Sequence, residues 1–170
     1  MVAEFTAAEV HKLYTSVMIQ ASLLHDTIED TALTEEMIAK IFGEEVAKHV
    51  EGLTRVKPYG KITAEESLNI LVKQKRYDTV LIKLFDRIHN VHTLGAKSPE
   101  KAQKIIEESL ISFVKTAIYI EVHEIRQKLI KLCYQNLGIS FNEPRITFEG
   151  NFQLLSPIFQ NNLIHIQNLK

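Results

Sequence analysis

The chain has 170 residues, which is enough for one domain, and its 45% hydrophobic residues can form a substantial core. The formal net charge of -1 argues against a nucleic-acid-binding protein, and the single cysteine excludes an intramolecular disulfide and favours a cytoplasmic compartment. The first residues lack the basic and apolar regions of a signal peptide, and no apolar run is long enough for a bilayer, so we expect no membrane partner.

Apolar residues recur at helical spacing along most of the chain, and 6 Gly and 4 Pro are few for this length. Thr34 is a predicted N-cap, Gly43 a predicted helix end, and Pro99 a predicted first helical residue. The predicted helices cover about residues 6–24, 34–42, 44–55, 64–75, 79–94 and 100–137, with a loop at 56–63 and room for one break in the last stretch. Because no heptad pattern persists, the sequence predicts an all-α bundle of packed helices.

Two parts of the chain differ in composition. Residues 1–139 carry the helical pattern and are predicted to form the domain. Residues 140–170 are rich in Asn and Gln and contain Pro144, Gly150 and Pro157, so they are predicted to form a C-terminal tail.

A polar stripe is predicted on the helix that contains V-L-I-K-L-F-D-R-I-H-N-V-H-T-L, residues 80–94. Asp86, Asn90 and Thr93 stand at i, i+4 and i+7, so a carboxylate, an amide and a hydroxyl share one face. One interpretation is a metal ligand followed by two groups that hydrogen-bond a substrate. The alternative is a solvated face on which Asp86 pairs with Arg87 or Lys83.

A second candidate stretch is L-L-H-D-T-I-E-D-T, residues 23–31, where His25 and Asp26 follow an apolar helix. If that helix continues, Glu29 and Asp30 lie one turn further on. Three carboxylates within six residues repel one another, which raises the pKa of at least one unless a cation is near. Together with Asp86, the stretch favours a divalent metal with nitrogen and oxygen ligands, such as Mn²⁺, Fe²⁺ or Zn²⁺. The alternative is a helix end with capping aspartates and a packed histidine.

A metal in such a site lowers the pKa of bound water, and Glu29 could orient or deprotonate that water. The expected chemistry is therefore hydrolysis of a phosphoester or pyrophosphate. His49, His123 and His165 have no partner pattern and are interpreted as structural or surface groups, and Cys133 as a packed side chain.

The two stretches resemble the HD-type hydrolase domain of RelA/SpoT homologues, which make and degrade the alarmones ppGpp and pppGpp. The intervening F-G-E-E-V-A-K-H-V-E-G-L-T-R-V is also similar, and the resemblance covers about residues 22–94. It implies an all-α HD-domain bundle, bound Mn²⁺, and removal by water of the 3′-pyrophosphate from the guanosine alarmone. Carried over position by position, it implies metal ligation by His25, Asp26 and Asp86, water handling by Glu29 and Asp30, and nucleotide contacts by Asn90 and Thr93.

The sequence also departs from the family pattern. The family takes one more metal His from a preceding helix, beside a basic nucleotide-binding segment, and the 24 residues before His25 match neither feature. His11 stands among residues that do not match, and His92 replaces a frequent Arg. We therefore expect an incomplete Mn²⁺ ligand set and a shortened or split member of the family, with the N-terminal part of its domain missing.

Several hypotheses follow from this pattern. The first is an alarmone 3′-pyrophosphohydrolase of weak activity. The second is a non-catalytic remnant that dimerises or binds a partner through exposed apolar helix faces. The third is an HD domain completed by another polypeptide that supplies the missing His and basic segment. An HD phosphohydrolase that acts on a different nucleotide is a further alternative.

Overall fold

The computed structural model describes residues 16–57 and 59–138, and these confirm the all-α fold. The predicted beginning of the first helix and the predicted tail lie outside the described residues. Within them, no helix combines the length and the apolar character that crossing a bilayer requires. The helices are α1 (Ser16–Leu23), α2 (Thr27–Asp30), α3 (Glu35–Phe42), α4 (Glu44–Leu53), α5 (Ala64–Lys73), α6 (Tyr77–His92), α7 (Pro99–Glu108), α8 (Val114–Tyr119) and α9 (His123–Asn136).

Three predicted helix boundaries are confirmed by the geometry of the backbone and the caps. The Thr34 hydroxyl accepts a hydrogen bond from the Met37 amide at 3.3 Å, as an N-cap does. Gly43 has a φ of +95°, which L side chains rarely adopt, and α3 ends there. Pro99 begins α7, where its missing N–H costs no hydrogen bond.

A capping box begins α5. The Thr63 hydroxyl accepts from the Glu66 amide at 3.1 Å, and the Glu66 carboxylate accepts from the Thr63 amide at 2.8 Å. Thr63→Ala is therefore expected to lower the free energy of unfolding by about 1 kcal/mol. Urea unfolding checks this, with Glu65→Gln on the exposed side of the same turn as control. Equal stability of the two variants would contradict the assignment.

Of two predictions about the connections, the first was wrong and the second was confirmed. The predicted loop at 56–63 contains an antiparallel hairpin, in which β1 (Val56–Lys57) pairs Val56 with Lys61 and Lys57 with Gly60 of β2 (Gly60–Lys61). The predicted helical stretch at 100–137 is broken once, as expected, by a turn at Glu121, whose φ is +60°, and Ser109–Phe113 before that turn is π-helical. The hairpin strands were not predicted because two residues are too few to show an alternation of polar and apolar side chains.

Helix α6 is the central element because its side chains enter both hydrophobic clusters. Five of them join the larger cluster with α5, α7, α8 and α9: Val80, Leu84, Phe85, Ile88 and Val91. Ile82 joins the smaller cluster with α1, α3 and α4. Lys83, Asp86 and Asn90 follow one another at i, i+3 and i+7, so they form a polar edge beside these buried faces.

His49 and Cys133 are structural, as the sequence suggested. The buried ring of His49 joins α4 to the beginning of α6, with Nδ1 2.8 Å from the Thr79 hydroxyl and Nε2 3.2 Å from the Asp78 carboxylate. Cys133 is fully buried, and burial raises the pKa of its thiol to about 12. His123 is exposed at the start of α9, and His165 lies outside the described residues.

Candidate metal centre

The chain turns sharply at the predicted His-Asp pair. α1 ends at Leu23, and α2 begins only at Thr27, so the helix does not continue through His25 as one interpretation required. The Asp26 side chain makes no capping hydrogen bond to α2, although Asp26 occupies the N-cap position. Its carboxylate instead contacts the His25 ring, which argues against the interpretation of Asp26 as a helix cap.

Two carboxylates converge on one nitrogen of His25. The Nε2 atom lies 2.8 Å from Oδ2 of Asp26 and 3.6 Å from Oδ1 of Asp86. The Nδ1 atom lies 2.8 Å from the carbonyl oxygen of Ser22 in the last turn of α1. The structure thus brings together the three side chains that the resemblance implied as metal ligands.

The contact with Ser22 determines how the His25 ring is protonated. A carbonyl oxygen can only accept, so Nδ1 carries a proton and Nε2 is the nitrogen that can bind a cation once it has lost its own proton. Burial alone would lower the pKa of His25, but the hydrogen bonds and charges of Asp26 and Asp86 outweigh it and raise the pKa to about 10. The surroundings of Nε2 therefore stabilise positive charge.

The donor types at this centre fit a divalent metal. One imidazole nitrogen and two carboxylates are ligands that Mn²⁺, Fe²⁺ and Zn²⁺ accept. Within residues 16–57 and 59–138, no group of three or more His, Cys, Asp and Glu side chains already has the arrangement of a metal site. Because the Asp26 side chain is 64% exposed, it can rotate away from the hydrogen bond with Nε2 and make room for a cation.

The predicted stripe on α6 is only partly directed at this centre. Asn90 Nδ2 donates to Oδ1 of Asp86 at 3.0 Å, which fixes the carboxylate beside His25. The Thr93 hydroxyl donates to the backbone oxygens of His89 and Asn90, at 3.0 and 3.4 Å, so it caps its own helix. The alternative in which Asp86 pairs with Arg87 or Lys83 is not what the structure shows, because Arg87 pairs with Glu108 and Lys83 donates to the Leu53 carbonyl oxygen.

Both carboxylate oxygens of Glu29 accept hydrogen bonds from residues in or next to the hairpin. Its Oε1 accepts from the Arg55 amide at 2.6 Å, and its Oε2 accepts from Lys61 Nζ at 2.8 Å. Partial burial raises the pKa of Glu29, but these hydrogen bonds and the charge of Lys61 outweigh it and hold the pKa below its usual value. Lys61 therefore supplies a cation that the crowded carboxylates were expected to need. Asp30 is exposed at the end of α2.

Comparison with known proteins decides the family. The sequence pattern of the HD domain family matches residues 2–117. The chain belongs to the HD domain family. It is 36% identical over 126 residues to a Brucella ovis protein named GTP pyrophosphokinase rsh, an alignment covering 71% of this chain and 17% of the relative. It is also 36% identical over 134 residues to the Haemophilus influenzae guanosine-3′,5′-bis(diphosphate) 3′-pyrophosphohydrolase, covering 75% and 20%.

These matches confirm the resemblance to RelA/SpoT homologues, and HD domains are metal-dependent hydrolases. A probable guanosine-3′,5′-bis(diphosphate) 3′-pyrophosphohydrolase of Synechocystis is similar as well, with 35% identity over 126 residues, 71% of this chain and 17% of the relative. The chain spans about a fifth of the length of these relatives. The predicted absence of a fourth ligand stays a prediction, because His11 lies outside the described residues.

Sequence patterns did not reveal the groups that hold His25 and Glu29 in place in this HD domain. Ser22 contributes through its carbonyl oxygen and Arg55 through its amide, and backbone atoms carry no residue-specific signal. Lys61 comes from a hairpin that was not predicted. The position of Lys83 could have been recognised from the sequence, because this lysine lies three residues before Asp86 within an apolar stretch. It was considered only as a partner for Asp86.

Replacing Lys61 with methionine is expected to reduce the fall in the free energy of unfolding as the pH becomes acidic. Because the folded-state pKa of Glu29 lies below its ordinary 4.5, its stabilising contribution is present above pH 4.5 and is lost as pH falls through the folded-state pKa. Lys61→Met moves the folded-state pKa of Glu29 upwards, so less stability is lost between about pH 5 and pH 3. Since the Lys61 side chain is largely exposed, the difference should stay below about 1 kcal/mol.

Urea unfolding at several pH values measures this difference. Lys104→Met on the exposed side of α7 is the matched control, because it removes the same charge away from Glu29. Parallel stability profiles for the wild type and Lys61→Met would show that Lys61 does not stabilise the Glu29 carboxylate.

Proposed function

We propose that this HD domain is a metal-dependent hydrolase that removes the 3′-pyrophosphate from the guanosine alarmones ppGpp and pppGpp. The observation that carries the proposal is the convergence of Asp26 and Asp86 on Nε2 of His25, with Nδ1 held by the Ser22 carbonyl. Two of the similar proteins are named as guanosine-3′,5′-bis(diphosphate) 3′-pyrophosphohydrolases, one of them as probable, which supports the substrate class. The cytoplasmic location stays a prediction from the single cysteine.

His25, Asp26 and Asp86 would hold the metal, which we propose to be Mn²⁺. When bound, such an ion supplies Lewis acidity and lowers the pKa of water. Asn90 keeps Asp86 turned towards His25 through its amide hydrogen bond, so the carboxylate is oriented before any ligand binds. Three protein ligands suffice for a catalytic metal, and a fourth from another polypeptide would raise the affinity.

Glu29 and Asp30 are proposed to handle the attacking water. Glu29 is ionised at neutral pH, so its carboxylate can accept a hydrogen bond from water and orient it. The hydrogen bonds from Lys61 and the Arg55 amide hold its pKa low, which favours this orienting role over proton abstraction. Asn90 and Thr93 are proposed to contact the nucleotide. Thr93 can accept a hydrogen bond with the lone pairs of its hydroxyl oxygen while it continues to donate its proton to the backbone carbonyl oxygen of His89.

The direct test is turnover of ppGpp by the purified full chain. We expect release of pyrophosphate and GDP that depends on added Mn²⁺ and stops on chelation. GDP and GTP, which lack the 3′-pyrophosphate, serve as control nucleotides and should release none. Absence of pyrophosphate release at saturating Mn²⁺ would refute a stand-alone activity. An upstream fragment from a full-length relative then tests completion in trans, because a further metal-ligating His on that fragment would restore turnover.

A second candidate is a non-catalytic module that pairs with a second copy of itself. The observation that favours it is the exposed apolar face of α3, on which Met37 and Ile41 stand one turn apart and Phe42 follows. Sedimentation velocity at micromolar concentration should then show a dimer that Ile41→Glu converts to a monomer. A monomer for the wild-type chain would remove this candidate.

A further inference from the structure

Lys83 lies mostly inside the molecule, on the turn of α6 that precedes Asp86. Its Nζ donates to the carbonyl oxygen of Leu53 at 2.6 Å, at the end of α4. Burial lowers the pKa of this lysine to about 8, while the negative charges of Asp86 and Glu29 partly offset that shift. A partly buried cation of this kind needs a reason beyond packing, because burying an ammonium group is costly.

The Leu53 carbonyl group, to which Lys83 donates, lies two residues before the Arg55 amide that supports Glu29. Leu53 is the last residue of α4, and two residues later the Arg55 amide donates to Oε1 of Glu29 at 2.6 Å. The short path from Lys83 through Leu53 to Arg55 thus joins α6, which carries Asp86, to the backbone that holds Glu29. One helix therefore fixes both a proposed metal ligand and the support of the proposed water-handling carboxylate.

We propose that Lys83 is a positioning residue that sets Glu29 relative to the His25–Asp86 centre by anchoring the junction between α4 and β1. The proposal rests on the proposed function for its catalytic meaning, since it assumes that Glu29 handles the water. Lys57 does not replace Lys83 at this junction, because its Nζ donates to the carbonyl oxygen and the carboxylate of Glu51.

The charges around Lys83 give the proposal a second consequence. Asp86 on α6 and Glu29 on α2 attract its ammonium group, whereas Arg55 and Lys57 at the junction repel it. A cation bound at Asp86 would also be repelled by Lys83. Lys83→Met should therefore leave Mn²⁺ affinity unchanged or increase it while it lowers turnover. A variant that merely damaged the fold would lower both.

Hydrogen exchange of single amides tests the anchoring without any turnover. In the full chain, Lys83→Met should speed exchange of the Arg55 amide about tenfold, the effect of losing about one net hydrogen bond. The Ala47 amide, which donates to the Gly43 carbonyl oxygen at the other end of α4, should keep its rate. Lys83→Arg retains a charged donor and should restore protection of Arg55. Unchanged exchange at Arg55, or equal acceleration at both amides, would overturn the positioning role.

Kinetics and Mn²⁺ binding then separate this proposal from the proposed function. Lys83→Met should lower kcat for ppGpp by at least about tenfold, because small displacements of a catalytic group are costly. The KM for ppGpp should not rise, and the Mn²⁺ affinity should not fall. Lys104→Met should match the wild type in kcat, KM and Mn²⁺ affinity. An active wild type with unchanged kcat in Lys83→Met would overturn the positioning role alone. An inactive wild type would refute the proposed function, and the exchange rates would still decide whether Lys83 anchors the junction.

Discussion

Asp86→Asn is expected to reduce Mn²⁺-dependent pyrophosphate release by more than about 100-fold, because loss of an outer partner alone typically costs 10- to 100-fold. Among the residues that the structure describes, Asp86 is one of two carboxylates beside Nε2 of His25, and Asn90 already orients it. An amide of the same size keeps the packing of α6 but removes the negative charge that a divalent cation needs. The rate of pyrophosphate release at saturating ppGpp measures the effect.

Asp78→Asn is the matched control for this experiment, because the same change is made on the same helix away from His25. Asp78 pairs with His49 at the beginning of α6, so its replacement affects stability but not the candidate metal centre. It should retain turnover at temperatures where the protein stays folded. Equal activities of the two variants would contradict the assignment of Asp86 as a metal ligand.

Arg87→Met is expected to lower the free energy of unfolding by about 3 kcal/mol, the largest effect on stability that we predict. Arg87 Nη2 lies 2.6 Å from Oε2 of Glu108, and its guanidinium carbon is 4.0 Å from the centre of the Phe113 ring. The side chain is only 10% exposed, so its loss leaves Glu108 poorly solvated and without its cation. Because Glu108 remains 27% exposed, the effect falls at the lower end for buried pairs.

Two further variants distinguish a broken ion pair from a general packing defect. Glu108→Gln added to Arg87→Met should recover part of the lost stability, because the remaining group is no longer charged. Glu107→Gln, on the exposed side of the same turn, should change stability little. If urea unfolding finds the double variant less stable than Arg87→Met, the unpaired charge is not the cause of the loss.

Much of the fold could be predicted because it depends on local chemistry. Thr34, Gly43 and Pro99 mark helix boundaries through caps and backbone angles that depend on one or two residues. The hairpin and the π-helical segment depend instead on tertiary packing. Strands as short as Val56–Lys57 carry no period, and a π-helical segment keeps the helical pattern of apolar residues.

The sequence predicted which side chains meet at the candidate site but not their geometry. His25, Asp26 and Asp86 meet because the chain turns after Leu23 and α6 crosses beside that turn. The expected alignment of Glu29 with His25 assumed a continuous helix. Because that helix is interrupted, Glu29 turns to the hairpin, where Lys61 and the Arg55 amide hold it. Long-range contacts of this kind produce no recognisable residue spacing in the sequence.

Binding of Mn²⁺ to the purified full chain tests the central claim most directly. Free Mn²⁺ can be followed by its electron paramagnetic resonance signal during titration of the wild type and of the Asp86→Asn and Asp78→Asn variants. We predict one site per chain in the wild type and in Asp78→Asn, and loss of that site in Asp86→Asn. A wild type that binds no Mn²⁺, or an Asp86→Asn variant that binds it equally well, would contradict the assignment of His25, Asp26 and Asp86 as the metal centre.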